Sequence, residues 1–192
     1  NLNYSRKFNP KIKNNKPPNI VIILLETFPA FKCGILGNPL NPTPNFDSLA
    51  KESILFTRFF VPKLSTAASI FCTVTGLPDM AVVNKSSTRD PFAIKQDIFL
   101  NQLQNYKKHF FIGGSANWGD INGFLNNNVD DIIIHEEDSY DIPETNAWGI
   151  SDYHLLQETH AVLLKETQPF ISLVLTAGHH RPYTIPDDIP GF

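Results

Sequence analysis

Six consecutive apolar residues, Ile20 to Leu25, stand between Pro17-Pro18 and a stretch containing Pro and Gly, and the run stops on a carboxylate, Glu26. A short unbroken apolar run bounded by breakers is the pattern of a strand covered on both faces, as in parallel sheets. Parallel strands need crossover helices, so this one segment favours an α/β architecture. Open α/β sheets bind their ligands beyond the carboxyl ends of the strands, where Glu26 falls. A solvated acid in a turn is the other reading of the same residue.

The rest of the chain alternates accordingly. Residues 43–53 predict a short helix capped by Thr43 or Asn45 and carrying Phe46, Leu49 and Ala50, and residues 54–61, "ILFTRFFV", predict a strand. "STAASIFCTVTGLP" predicts a helix opening near Ser65 or Thr66 and stopped by Gly76-Leu77-Pro78. Residues 79–93 read as loop. Ile94, Ile98, Phe99, Leu103 and Tyr106 recur at helical intervals, and "HFFIGG" reads as a strand. Residues 117–128 read as loop or short helix, and "VDDIIIHEED" holds another strand. A helix capped by Ser151 should place Tyr153, Leu156, His160, Leu163 and Leu164 on one apolar side, and "PFISLVLTAG" closes the series as a buried strand. The expected fold is α/β, a mostly parallel sheet with helices on both faces, and incomplete, because the chain ends on "DDIPGF" without a closing element.

The 192 residues are 42% hydrophobic, enough for one domain with a substantial core. A net charge of −3 provides no basic field, so nothing points to nucleic acid as a partner. Charge is unevenly placed, however. Arg6, Lys7, Lys11, Lys13 and Lys16 precede the first acid, Glu26, and residues 1–18 read as a solvated basic linker ahead of a domain over 19–192. No apolar run approaches the ~20 residues of a membrane span. Cys33 and Cys72 have neither disulfide-framework nor zinc-ligand spacing, and leave two thiols or one bridge open.

Three stretches just beyond predicted strand ends are candidates for chemistry: Glu26, Ser65-Thr66 and His179-His180. A hydroxyl in a helix's first turn lies beside unpaired backbone N–H groups and the positive end of the helix dipole, which suits phosphate or sulfate. Thr is a poor nucleophile unless a base or metal activates it, and a carboxylate such as Glu26 could hold that metal. An ordinary N-cap pair is the plainer account of "ST". His160 reads as a core histidine, Asp130-Asp131 and 135–138 as a solvated acidic edge, and Cys72 as a buried, inert thiol.

The order "NIVIILLET", "PTPNFDSLAKESILFTRFFVP", "STAASIFCTVTGLP" resembles the alkaline phosphatase superfamily in its sulfatase-like branch, most specifically over residues 43–60. Sulfatases carry Cys-x-Pro-x-Arg, whose Cys or Ser becomes formylglycine; the corresponding stretch here is Thr66-Ala67-Ala68-Ser69-Ile70. A Thr there resembles the lipoteichoic acid synthases, phosphoglycerol transferases and phosphoethanolamine transferases, and "NAWGISDYHLLQETHAVLLKETQPFISLVLTAGHHRPY" is most similar to the lipoteichoic acid synthase group. The resemblance implies a divalent metal ion (Mn, Zn or Mg) held by Glu26 and Thr66, with Thr66 as nucleophile. It implies substrate contacts from Trp118 and His180, a phospholipid headgroup donor, and a glycan or glycolipid acceptor. It also implies an extracytoplasmic location with membrane contact through an N-terminal anchor. Two positions depart from the family: Asp120 replaces the Arg two residues after the Trp, and no Asp-His pair follows His180 to complete the metal site. The alternatives are a phosphate or sulfate ester hydrolase and a non-catalytic domain of the same fold.

Overall fold

The computed structural model describes residues 16–82, 86–90 and 95–186. Its centre is a four-stranded sheet, β1 (Ile20–Leu24), β2 (Lys107–Ile112), β3 (Ile132–His135) and β4 (Phe170–Leu175), in the order β1-β4-β2-β3. All pairings are parallel, with Ile20 beside Ile171 and Leu24 beside Leu175, so β1, β2 and β4 end at one level. Most of the basic linker lies outside the described residues.

The core follows from which residues are covered on both sides. Every residue of β4 is buried, as a central strand between two neighbours requires. On one face, Phe110 and Leu173 pack with Ile70 and Val74 of α2 (Thr66–Thr75) and with Ile121, Phe124 and Leu125 of α3 (Ile121–Asn128). On the other, Phe111 and Val174 meet Leu155 of α4 (Asp152–Leu163). Helices therefore cover both faces. Among the described residues, no helix is long and apolar enough to cross a membrane.

Several expectations are corrected. β1 is the sheet's edge strand and alternates between half-buried and exposed residues, with Val21 and Ile23 about half exposed, because no described element covers its outer face. Residues 54–61 form no strand, and Ile54, Phe56, Phe59 and Phe60 stand in solvent. Of the helical spacing expected over 94–106, Ile94 lies outside the described residues, and residues 95–106 form a 3-10 turn, Phe99–Gln102, rather than an α-helix. Asparagine side chains capture the backbone there: Gln96 N–H donates to Asn128 Oδ1, and Asn101 Oδ1 accepts from Asp130 N–H. Burial then alternates, Ile98 and Leu100 inward, rather than following a helix stripe.

The first helix, α1 (Pro44–Lys51), buries Asp47 rather than Leu49; Thr43 Oγ1 accepts from Gly34 N–H and donates to Asp47. α4 turns Leu155 and Thr159 inward and leaves Tyr153, Leu156, His160 and Leu164 exposed, so His160 is not a core histidine. Cys33 and Cys72 are both free thiols.

Candidate active site

The carboxyl ends of β1, β2 and β4 carry the candidate residues. Beyond β1, Glu26 donates its backbone N–H to Thr176 Oγ1 (3.2 Å), and its Oε1 accepts from Thr27 (3.1 Å). Thr66, the first residue of α2, donates its hydroxyl to Glu26 Oε2 across 2.8 Å. Ser65 occupies the N-cap position but makes no side-chain cap, so its hydroxyl leaves the first N–H groups of α2 available to an anion. Both Glu26 and Thr66 are half-buried.

Beyond β2 the chain runs through Gly113-Gly114 into a loop clamped by Glu136, whose Oε2 accepts from Ala116 N–H (2.7 Å). That loop presents Trp118, partly exposed, in a 3-10 turn. Its neighbour Gly119 has φ +67°, and a Cβ there would fall 2.8 Å from the Cβ of Ala67. Only glycine permits this backbone to rest on the first turn of α2. Thr88 fixes the same spot by donating to Gly119 O (2.6 Å), and the next residue, Arg89, holds its guanidinium carbon 5.9 Å from the Trp118 ring centre.

Beyond β4, Asp152 at the start of α4 accepts from the N–H groups of Ala177 (2.8 Å) and Gly178 (3.0 Å), anchoring the turn that carries His179 and His180. The His180 ring lies 3.9 Å from that of Trp148, whose Nε1 donates to Arg181 O (2.7 Å). Trp148 in turn meets Trp118 edge-on, ring centres 6.2 Å apart. His180 Nδ1 lies 2.9 Å from Arg181 O; a carbonyl only accepts, so Nδ1 carries a proton. His179 faces away, edge-on to Phe28.

The four residues singled out in the sequence thus form two pairs. Glu26 and Thr66 touch directly, and Trp118 and His180 are joined through Trp148. The contact of Gly119 on Ala67 ties the second pair to the helix that begins at Thr66.

The family model of sulfatases matches residues 18–191. The chain belongs to the sulfatase family. A solved protein of the alkaline phosphatase superfamily from Vibrio parahaemolyticus matches with a TM-score of 0.78 and 31% identity, over 91% of this chain and 44% of its own. Lipoteichoic acid synthase LtaP from Listeria monocytogenes matches at 0.67 and 21% identity, over 90% of this chain and 43% of its own, a likeness of fold. Arylsulfatase A of Homo sapiens is 38% identical over 61 residues, which is 32% of this chain and 12% of that protein. This sulfatase-family chain therefore spans less than half the length of these relatives.

Glu26 and Thr66 offer a carboxylate and a hydroxyl, the hard oxygen donors a divalent cation takes, and the two oxygens lie 2.8 Å apart. Among the described residues no group of three or more His, Cys, Asp or Glu converges on a metal position. Protein-bound divalent cations take four or more ligands, so the pair fits as part of a donor set.

Three residues of the site were not assigned from sequence. Trp148 and Asp152 stand in "WGISD", a helix start whose aromatic and acid were legible as a motif but not as a shelf and an anchor. Arg89 carried no signal, since its place beside Trp118 is made by folding.

Proposed function

We propose that this sulfatase-family domain takes part in metal-dependent transfer of a phosphoglycerol-type headgroup from a glycerophospholipid to an acceptor hydroxyl, through a covalent intermediate on Thr66. The observation that carries this reading is the 2.8 Å hydrogen bond from the Thr66 hydroxyl to Glu26 at the N-terminus of α2. In that geometry the Thr66 proton passes to Glu26 as Oγ1 attacks phosphorus. The bond from phosphorus to the lipid alcohol breaks, and the alcohol leaves with a proton. An acceptor hydroxyl on a glycan or glycolipid then displaces the Thr66 oxygen, which regains its proton. The N-terminal N–H groups of α2 face the charge on the phosphoryl oxygens in both steps. Glu26 and Thr66 would hold a divalent ion (Mn, Zn or Mg), whose chemistry is to lower the pKa of a bound hydroxyl and offset phosphoryl charge. Trp118 and His180 position the headgroup.

The five cations ahead of the first acid support a linker over residues 1–18 lying near anionic lipid headgroups on the extracytoplasmic side of a membrane, followed by a domain part over 19–192. The likeness to arylsulfatase A favours a second reading, ester hydrolysis with water as acceptor. The test is intact-protein mass spectrometry and product analysis after incubation with phosphatidylglycerol, Mn²⁺ and a glycolipid acceptor. A headgroup adduct on Thr66 and a phosphorylated acceptor are expected, both absent in Thr66→Ala. Free glycerol phosphate alone would establish the hydrolase, and undiminished turnover by Thr66→Ala would reject both.

A further inference from the structure

We infer that Arg89 is the headgroup-reading cation of this site and that the site selects an anionic or polyhydroxyl headgroup against one bearing an ammonium group. The inference rests on the headgroup-transfer reading and narrows its donor.

Two indole faces and an imidazole gathered at one place could in principle serve an ammonium headgroup, since aromatic faces attract organic cations. Here that position is taken. Arg89 lies over Trp118 with its guanidinium carbon 5.9 Å from the ring centre. Its Nη2 is 4.0 Å from the point where Gly119 would carry a Cβ, the same point that touches Ala67, the residue after Thr66. The guanidinium therefore stands beside the start of α2. A second cation brought there meets like charge, whereas phosphoryl oxygens or hydroxyls find a donor fork.

The loop that carries Arg89 is held from both sides. Asp79 accepts from the Ser87 N–H (2.9 Å) and hydroxyl (2.7 Å), and Thr88 is tied to Gly119 O. Among the described residues Arg89 forms no ion pair with a carboxylate. Asp120 lies two residues beyond Trp118. Its carboxylate is turned onto the first turn of α3, with Oδ1 2.5 Å from the Cβ position of Gly123, where the helix dipole favours it. The residue in the family's arginine position is thereby directed at a helix, and the guanidinium beside Trp118 comes from a different loop.

The chain contains two tryptophans, Trp118 and Trp148, and both belong to this site, so emission excited selectively at tryptophan reports on it. The native protein is titrated with glycerol 1-phosphate and with O-phosphoethanolamine, alongside Arg89→Ala, Arg89→Lys and Arg89→Glu, each checked for fold by circular dichroism. Glycerol 1-phosphate should bind the native protein roughly tenfold or more tighter than O-phosphoethanolamine. Arg89→Ala should lose about ten- to a hundredfold in Kd, the size of one charge-assisted contact, with partial recovery in Arg89→Lys. Arg89→Glu should reverse the preference. Equal glycerol phosphate binding by the native protein and a folded Arg89→Ala would overturn the role of Arg89 and leave the headgroup site standing. No response of the native tryptophans to either ligand would overturn that site and the inference together.

Discussion

Thr66 Oγ1 and Glu26 Oε2 lie 2.8 Å apart although forty residues separate them in the chain. The contact exists because β1 and α2 deliver the end of one element and the start of another to the same rim of a parallel sheet. Glu26→Ala should therefore remove metal binding measured on the protein after equilibration with Mn²⁺ or Zn²⁺ and desalting. It should also lower transfer by about 10²- to 10⁴-fold, the usual cost of losing a positioned base. Thermal stability should change little, since Glu26 is only half-buried. Full metal content in the variant would place the cation elsewhere.

The turn carrying His180 depends on Asp152, which accepts from two backbone N–H groups. Asp152→Ala should cost about 2–3 kcal/mol in urea unfolding, as hydrogen bonds to an ionised group do. Amide exchange at Ala177 and Gly178 should accelerate. Unchanged protection at those amides would show that the turn holds without the carboxylate.

Gly119→Ala tests how closely the Trp118 loop must approach α2. The added methyl would meet Ala67 at 2.8 Å on a backbone with φ +67°, costing about 1–3 kcal/mol of strain. Tryptophan emission should shift as Trp118 moves. A variant with native emission and stability would mean the loop yields freely.

A stability titration should show the imidazoles of His109, buried, and His135, half-buried. His109 Nδ1 lies 3.1 Å from His135 Nε2, and His109 Nε2 lies 3.2 Å from Glu166 Oε1. Burial first, and then His109, holds His135 down to about 4; burial also lowers His109, with Lys107 helping and Glu166 opposing. The unfolded histidines protonate near 6.5. Stability should thus be full above about pH 6.5 and fall as the pH drops toward 4. Urea midpoints at pH 7.5 and 5 measure it, and His135→Phe should flatten the difference. An equal slope in that variant would assign the effect to other groups.

What the sequence determined by itself is local or periodic. The apolar runs at Ile20 and Phe170, the Gly76 stop after α2 and the Ser151 cap were all legible, because each follows from backbone preference or burial within one segment. The family resemblance placed Glu26 and Thr66 at strand end and helix start. Tertiary structure decided what depends on neighbours: that β1 is an edge strand whose outer face no described element covers, that 54–61 pairs with nothing described, and that Asn101 and Asn128 replace a helix by a network. It also decided which side of α4 is inner, since Leu155 packs with Phe111 and Val174 and Thr159 is buried, while Tyr153, Leu156, His160 and Leu164 face out. Arg89 is the plainest case. Nothing within several residues of it marks a ligand contact, and only the packing of its loop on Gly119 brings it to Trp118.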